Sequence, residues 1–211
     1  MANSGCFVVF EGIDGAGCET QSKLFLSHAR HAFGKNKVLY LDYPEYKSCY
    51  GKLLKNFLHG KLKISRKEAF LLFFLDQLKD AEKIKTALSE KKIVISNRYF
   101  TSNIAYHFDL FDVKDMIKLA EFFSLPKPDI IFYIDISPKE SIRRKSLEKK
   151  GKLDINEKNL TKLISIRQAY YKLALNHAWI HNWIIVDGQR SKKEIAEDIW
   201  NTFLKADLLD F

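Results

Sequence analysis

Cysteine, proline and long apolar runs are all scarce in this sequence. The three cysteines, Cys6, Cys18 and Cys49, form no C-x-x-C pair and are odd in number, which argues against a disulfide framework or a zinc site. The longest apolar run is AFLLFFL, far shorter than the roughly 18 residues that a membrane-spanning helix needs. The N-terminus lacks a basic segment and reaches Glu11 too early for a signal peptide. We therefore expect a soluble cytoplasmic protein with no membrane partner.

What the chain does have is enough apolar material for a folded core. Of its 211 residues, 46% are hydrophobic and 13% aromatic, which excludes a disordered tail. We find no internal repeat, no low-complexity tract and no linker rich in Gly, Ser or Pro. The sequence therefore predicts a single domain over residues 1–211.

The formal net charge of +9 is concentrated in SIRRKSLEKKGK, residues 141–152. Such a basic segment can bind nucleic acid, form a solvated surface, or close over a polyphosphate. Nucleic acid is the least favoured of the three partners, because the segment lacks the interleaved aromatic residues that single-strand binders use.

Short apolar runs alternate with long amphipathic stretches, which is the pattern of βαβ units in an α/β protein. Strands are predicted at 6–12, 37–43, 92–97, 129–136 and 183–188. Three helix starts match the capping box, in which the first and fourth residues satisfy each other's backbone amides: Ser65 with Glu68, Ser137 with Glu140, and Ser191 with Glu194. Since ligands of such sheets bind at the carboxyl ends of the strands, the site is expected there.

The segment GIDGAGCET, residues 12–20, follows the first strand and has the spacing of a phosphate-binding loop, G-x-x-x-x-G-K-[ST]. Cys18 and Glu19 stand where lysine and a hydroxyl residue are usual. Glycines let backbone amides turn toward one point, and the positive end of the following helix favours an anion there. An ordinary glycine-rich turn is the alternative. The predicted ATP-binding residues are Gly12, Asp14, Gly15, Ala16, Gly17, Cys18, Glu19 and Thr20.

Several segments, in order along nearly the whole chain, resemble the thymidylate kinase family. They are FVVFEGIDGAG with Thr20 and Gln21, YPEYKSCYGKLLKNFLHG (43–60), LLFFLDQ (71–77), NRYFTSNIAYH (97–107) and LPKPDIIFYIDISP (125–138). The resemblance implies a P-loop kinase fold, with a five-stranded parallel sheet flanked by helices and a basic lid at about 141–157. It also implies transfer of the γ-phosphate of ATP to dTMP, a magnesium ion and a homodimer.

The resemblance also implies roles for individual residues. Asp14 would approach the deoxyribose 3′-hydroxyl, and Phe73 would stack on thymine. Tyr106 would line the nucleoside pocket, and Arg98 would bind the phosphates during transfer. The catalytic candidates are Asn97, Arg98, Arg143 and Arg144, the last two in the lid. Magnesium would be held by Glu19 and Thr20. The acceptor-binding candidates are Asp14, Tyr43, Pro44, Tyr46, Phe73, Gln77, Arg98, Ser102, Tyr106 and His107.

The chain departs from the family pattern at both nucleotides. The replaced family residues are a lysine, a hydroxyl residue, three arginines, an aspartate and a glutamine, and here these positions hold Cys18, Glu19, Tyr46, Gln77, Ile155, Asn97 and His107. Each lost contact to a charged group costs about 1.5 to 3 kcal/mol unless it is replaced. Lys23, Lys47 and the lid are the candidates for restoring positive charge.

Some of these replacements have two interpretations. Glu19 either coordinates magnesium or only complements the helix dipole. Cys18 either fills space, which we favour, or is a thiol of lowered pKa. His107 is either an acceptor-site residue or a surface histidine. For the whole chain the leading hypothesis is a thymidylate kinase, and the alternatives are a kinase for another nucleoside monophosphate and a nucleotide-binding protein without transfer activity.

Overall fold

The computed structural model describes residues 5–148, 159–206 and 208. Strands and helices alternate along most of this part of the chain. In chain order the elements are β1 (Cys6–Glu11), α1 (Cys18–Phe33), a short 3-10 helix (Lys35–Lys37), β2 (Val38–Asp42), α2 (Cys49–Leu58), α3 (Arg66–Leu78), α4 (Ala81–Ser89), β3 (Ile93–Asn97), α5 (Phe100–His107), α6 (Val113–Phe122), β4 (Ile130–Asp135), α7 (Pro138–Glu148), α8 (Leu160–Leu175), β5 (Trp183–Asp187) and α9 (Lys192–Lys205).

The five strands form one sheet in the order β2-β3-β1-β4-β5, and every pairing is parallel. All five predicted strands are present, so the expected α/β fold with helices flanking a parallel sheet is confirmed. The central strand β1 is completely buried, because helices cover both faces of such a sheet. The chain order reverses on the two sides of β1, and this switch point puts the loop after β1 at the ligand-binding edge.

Two of the three predicted capping boxes are confirmed and one is wrong. Ser65 with Glu68 and Ser191 with Glu194 make both reciprocal hydrogen bonds. At α7 the Ser137 hydroxyl accepts from the Glu140 amide, but the Glu140 carboxylate turns the other way and accepts from two arginines of its own helix. Two guanidinium groups are stronger donors than one backbone amide, so the second half of the box does not form.

An aromatic cluster fixes the helix that follows the glycine loop. Phe25 of α1 contacts Phe10 of β1, Phe132 of β4 and Phe203 of α9, with ring centroids 4.9 to 6.4 Å apart. Because this cluster holds α1 against the sheet, the amino end of α1 stays at the end of β1. Within residues 5–148 and 159–206, the helices are too short or too polar to span a membrane.

Candidate active site

The loop after β1 has the backbone shape that its glycines predict. A Cβ atom on Gly12 would lie 2.7 Å from the Ile134 carbonyl oxygen and 2.8 Å from the Ala16 Cβ, so only glycine fits there. Gly15 and Gly17 have φ angles of 79° and 99°, in the left-handed region that glycine enters without strain. Helix α1 begins at the next residue, so its unpaired amides face the loop. The arrangement favours an anion.

Two cavities meet at this edge of the sheet, with volumes of about 420 Å³ and 820 Å³. The larger one lies over the loop and is here called the loop cavity; the smaller one is called the α3/α5 cavity. Five residues line both of them, namely Asp14, Tyr43, Pro44, Tyr46 and Arg98. Two molecules bound in these cavities would therefore meet beside Arg98 and Asp14.

The residues expected to bind ATP surround the loop cavity, apart from Gly12, whose carbonyl instead binds Arg98. Asn97 and Arg144 also line it. Sequence reasoning missed further residues that line it from β2, the end of β5 and α9, among them Asp42, Gly188, Arg190 and Lys192. Arg144, Lys145, Arg190 and Lys192 together bring positive charge to a loop that has no lysine of its own.

The α3/α5 cavity gathers the remaining acceptor-site candidates. Phe73 and Gln77 reach it from α3, and Ser102, Tyr106 and His107 reach it from α5. Sequence reasoning missed four polar residues that also line it: Arg66, Asn103, Asn159 and Lys162. Asn103 had a usable signal, because it lies four residues before His107 and therefore on the same face of a helix.

Arg98 stands at the junction of the two cavities. Its guanidinium donates to the Gly12 carbonyl oxygen at 2.9 Å and to Asp14 Oδ1 at 2.6 Å, and it also reaches Ser102 Oγ at 3.3 Å. The same group lies over the Tyr106 ring, 5.7 Å from its centroid. Its side chain is 18% exposed. A partly buried cation that is held by several hydrogen bonds is preorganised to stabilise negative charge between two ligands.

Glu11 was missed as a site residue, although it organises α5, one of the helices that line the α3/α5 cavity. Its side chain is fully buried at the end of β1. Its carboxylate accepts from the backbone amides of Tyr99 and Ser102 at 3.0 and 3.1 Å, from Thr101 Oγ1 at 2.6 Å, from Tyr170 OH at 2.9 Å and from Ser102 Oγ. Burial raises the Glu11 pKa, whereas hydrogen bonds from Ser102 and Thr101 lower it. Glu11 thereby caps α5 and ties it to β1 and α8.

Cys18 fills space at the start of α1. It is 5% exposed, and its sulfur lies close to where a side chain on Gly12 would be. Burial raises the pKa of its thiol to about 12, the opposite of the shift that would make it reactive. The geometry therefore favours the space-filling interpretation.

Glu19 and Lys23 pair with each other one helical turn apart. Their Oε1 and Nζ atoms lie 2.5 Å from each other, and both side chains are more than half exposed. Lys23 is thus engaged by a carboxylate and is not a simple replacement for the loop lysine. Glu19 remains at the mouth of the loop cavity, beside Thr20.

Asn97 contacts the Asp42 carboxylate, a pairing that sequence reasoning did not predict. Its Nδ2 donates to Asp42 Oδ1 at 2.7 Å across the neighbouring ends of β3 and β2. Desolvation raises the Asp42 pKa, and the hydrogen bond from Asn97 lowers it. Asn97 Oδ1 is buried with no hydrogen-bond partner in the part of the chain that the structure describes. Asp42 and Asn97 therefore lie side by side at this wall of the loop cavity.

The two arginines of the predicted lid differ in position. Arg144 donates to the Gly188 carbonyl oxygen at 2.9 Å, binds Glu140 and lines the loop cavity. Arg143 also binds Glu140, but its side chain is 62% exposed and lines neither cavity. The first part of the predicted lid is thus the end of α7. The rest, including Asp154, Ile155 and Glu157, lies outside the described residues.

His107 is buried, so its interpretation as a surface histidine is wrong. It is 5% exposed and its Nδ1 lies 2.9 Å from the Asn103 carbonyl oxygen. That contact places the ring proton on Nδ1 and leaves Nε2 as an acceptor. Burial lowers its pKa from 6.5 to about 4, so the ring is neutral near pH 7.

The parallel sheet, the glycine loop before α1 and the paired cavities define a P-loop nucleotide-binding protein. A family model described as thymidylate kinase matches residues 10–199. The chain therefore belongs to the thymidylate kinase family.

Known proteins agree with this assignment. A probable thymidylate kinase of Methanocaldococcus jannaschii is 31% identical over 198 residues, covering 94% of this chain and 93% of its own. A probable thymidylate kinase of Pyrococcus horikoshii is 36% identical over 202 residues, covering 92% and 94%. Among solved structures, thymidylate kinase from Ehrlichia chaffeensis shares the fold, with a TM-score of 0.72, 23% identity and coverage of 94% of this chain and 98% of that one.

Proposed function

We propose that this protein transfers the γ-phosphate of ATP to dTMP, giving dTDP and ADP. The observation that carries the proposal is the junction of the two cavities, where Arg98 and Asp14 line both. ATP in the loop cavity and the monophosphate in the α3/α5 cavity would bring donor and acceptor phosphates together beside the Arg98 guanidinium. Phosphoryl transfer depends mainly on positioning and charge neutralisation, which this geometry supplies.

The acceptor is held by the shape and chemistry of the α3/α5 cavity. Phe73 is half-buried on its wall, where it can stack on the base. Asp14 accepts the 3′-hydroxyl, and Tyr106 packs against the sugar side. Tyr43, Pro44 and Tyr46 close the cavity near the junction, and Ser102 supports Arg98.

The donor is held by backbone amides and by cations from outside the loop. Amides of the loop and of α1 bind the β-phosphate, and Arg144 supplies the charge that Cys18 does not. We assign the catalytic lid role to Arg144 rather than Arg143, because Arg144 reaches the loop cavity and Arg143 does not.

Magnesium fits the oxygen atoms at the wall of the loop cavity. Across the described ranges 5–148, 159–206 and 208, no group of three or more His, Cys, Asp or Glu residues could hold a metal by itself. Magnesium at kinase sites needs only one or two protein ligands, because phosphates and water provide the others. Asp42, Asn97 Oδ1, Glu19 and Thr20 would hold it, and bound there it would neutralise charge on the ATP phosphates.

The test is ADP release from ATP with a panel of nucleoside monophosphates. Turnover with dTMP supports the proposal. Turnover with other acceptors and none with dTMP makes the protein a different monophosphate kinase. Nucleotide binding without turnover makes it a binding protein, an outcome for which the missing loop lysine and Asn97 give a reason.

Replacing Glu19 by alanine tests whether the glycine loop still supports phosphoryl transfer. If Glu19 contributes to the metal, activity falls about tenfold and its dependence on magnesium weakens, because one charged contact is lost. If Glu19 only repels phosphate, ATP binds more tightly in the variant. Initial rates over a magnesium titration and a separate ATP-binding isotherm measure the two effects. We expect lost activity.

Lys23→Ala is the matched control, because it breaks the same ion pair and keeps the Glu19 carboxylate. We expect it to change the magnesium dependence much less than Glu19→Ala. Equal losses in both variants would assign the effect to the ion pair and not to the metal.

A homodimer in the cytoplasm is our proposal for the assembly. The exposed apolar side chains include Leu71 in the middle of α3, Phe122 at the end of α6 and Phe123 just after it, with exposed fractions of 50%, 82% and 45%. The Phe123 ring lies 5.5 Å from that of Phe74 in α3, so the end of α6 packs beside α3. Exposed apolar faces of this kind mark interaction surfaces. Light scattering should give a mass of twice 24.6 kDa.

A further inference from the structure

The far end of the α3/α5 cavity carries polar atoms that the fold leaves unpaired. Gln77 and Asn103 are each 3% exposed. Gln77 Oε1 and Asn103 Oδ1 are buried and have no hydrogen-bond partner among the residues that the structure describes. Both residues line the cavity, on the part that the loop cavity does not share. An unpaired buried acceptor costs free energy, so a ligand that brings donors to this end gains affinity.

The orientation of the Asn103 amide is fixed by its own contact. Its Nδ2 donates to the Phe70 carbonyl oxygen at 3.0 Å, which leaves Oδ1 as the free end. His107 adds a second fixed acceptor, because its Nδ1 faces the Asn103 carbonyl and its ring is neutral. The far end of the α3/α5 cavity therefore presents hydrogen-bond acceptors, beside the cations Arg66 and Lys162 that also line the cavity.

Gln77 differs from these two because, within the described part of the chain, no hydrogen bond fixes its amide. Turning the amide by 180° exchanges its oxygen for NH2. An arginine at this position would offer donors alone. With its oxygen turned to the ligand, Gln77 adds a further acceptor beside Asn103. With its NH2 turned to the ligand, it can donate to a base carbonyl. Gln77 can therefore pair with either an amine or a carbonyl at C4 of a pyrimidine.

We propose that the acceptor site takes cytosine as well as thymine, so that dCMP is a second phosphate acceptor. The inference rests on the proposed function, because it concerns the acceptor of the same reaction. Cytosine carries an exocyclic amine with two N–H donors, one for each of the two amide oxygens, whereas thymine carries a carbonyl there. Phe73 stacks on either base, since stacking depends on the ring face and not on its substituents.

The test compares kcat/KM for dTMP, dCMP and dUMP in the full-length protein. dUMP is the matched ligand, because it differs from dCMP only at C4 and N3, where it has a carbonyl and an N–H in place of the amine and the unprotonated nitrogen. We expect dCMP to exceed dUMP. A value for dCMP equal to or below that for dUMP, in a protein that phosphorylates dTMP, overturns this inference and leaves the proposed function standing. No turnover with any of the three overturns the proposed function itself.

Two substitutions of Gln77 with opposite expected effects separate a change in base selectivity from a general disturbance of the cavity. Gln77→Arg offers donors alone and should lower the dCMP/dUMP ratio of kcat/KM about tenfold, whereas Gln77→Glu offers acceptors and should raise it. Gln168→Arg on the exposed face of α8 is the control for added charge. Thermal unfolding confirms that each variant folds. If one variant does not fold, comparison of the dCMP/dUMP ratio between the other variant and the wild type still tests the role of Gln77. Equal ratios in folded variants and wild type overturn the assignment to Gln77.

Discussion

Replacing Arg98 by alanine will lower kcat by about 10³-fold or more, because a phosphate-stabilising arginine acts mainly in the transition state. The variant loses a side chain that contacts both Asp14 and the Gly12 carbonyl and that lines both cavities. A 10³-fold loss corresponds to about 4 kcal/mol of activation free energy. Steady-state rates at saturating ATP and dTMP measure it, and urea unfolding reports the cost of leaving Asp14 unpaired.

Arg98→Lys keeps the charge but loses the fork that spans Gly12 and Asp14, so we expect it to recover only a small part of the rate. Arg30→Ala is the control, because Arg30 is exposed in the last turn of α1, at the other end from the loop. Wild-type kcat in folded Arg98→Ala would show that the chemistry takes place elsewhere in the molecule.

Much of the fold could be predicted because the strands of a parallel sheet are buried on both faces. Such strands are continuous apolar runs, as in the segment that became β4, Ile130–Asp135. Several boundaries are one residue shorter than predicted. Glycines at the ends explain two of them, since Gly12 and Gly188 look like strand continuations in sequence but begin the loops that form the site.

Part of the set of residues at this edge of the sheet could also be predicted, because it follows from strand order. The carboxyl ends of β1, β2 and β3 deliver Asp14, Tyr43 and Arg98 to one edge, and parallel pairing requires this. The hydrogen-bond partners of each side chain are harder to predict from sequence. The Ser137 motif predicted a full capping box, but Arg143 and Arg144 compete for Glu140.

Contacts between distant residues could not be predicted. Asp42 and Asn97 are far apart in sequence, and nothing in either segment shows that the amide replacing a family aspartate would lie against a second carboxylate. The free amide oxygens of Gln77 and Asn103 depend in the same way on the packing of α3 against α5. Glu11 did carry a signal, because an acidic residue ending a fully buried strand requires partners.

Glu11→Gln is expected to destabilise the protein by roughly 3 kcal/mol, since at least one buried donor loses its acceptor and the hydrogen bonds lose their charge. The carboxylate accepts from Tyr99, Thr101, Ser102 and Tyr170, and an amide cannot accept from all of them because one of its two ends is a donor. As α5 loses its cap, the acceptor cavity loosens. We therefore expect KM for the monophosphate to rise more than KM for ATP. Urea unfolding and steady-state kinetics measure the two effects.

Glu194→Gln is the matched control, because Glu194 also caps a helix through its carboxylate but does so in solvent, at the start of α9. Glutamine serves in an exposed capping box, where water satisfies whatever the amide leaves unpaired. Its effect on the free energy of unfolding should therefore be much smaller than that of Glu11→Gln. Similar small losses in the two variants would mean that Glu11 is one more helix cap. A large loss confined to Glu11→Gln, with the selective rise in KM, would identify it as the residue that positions α5 for the acceptor.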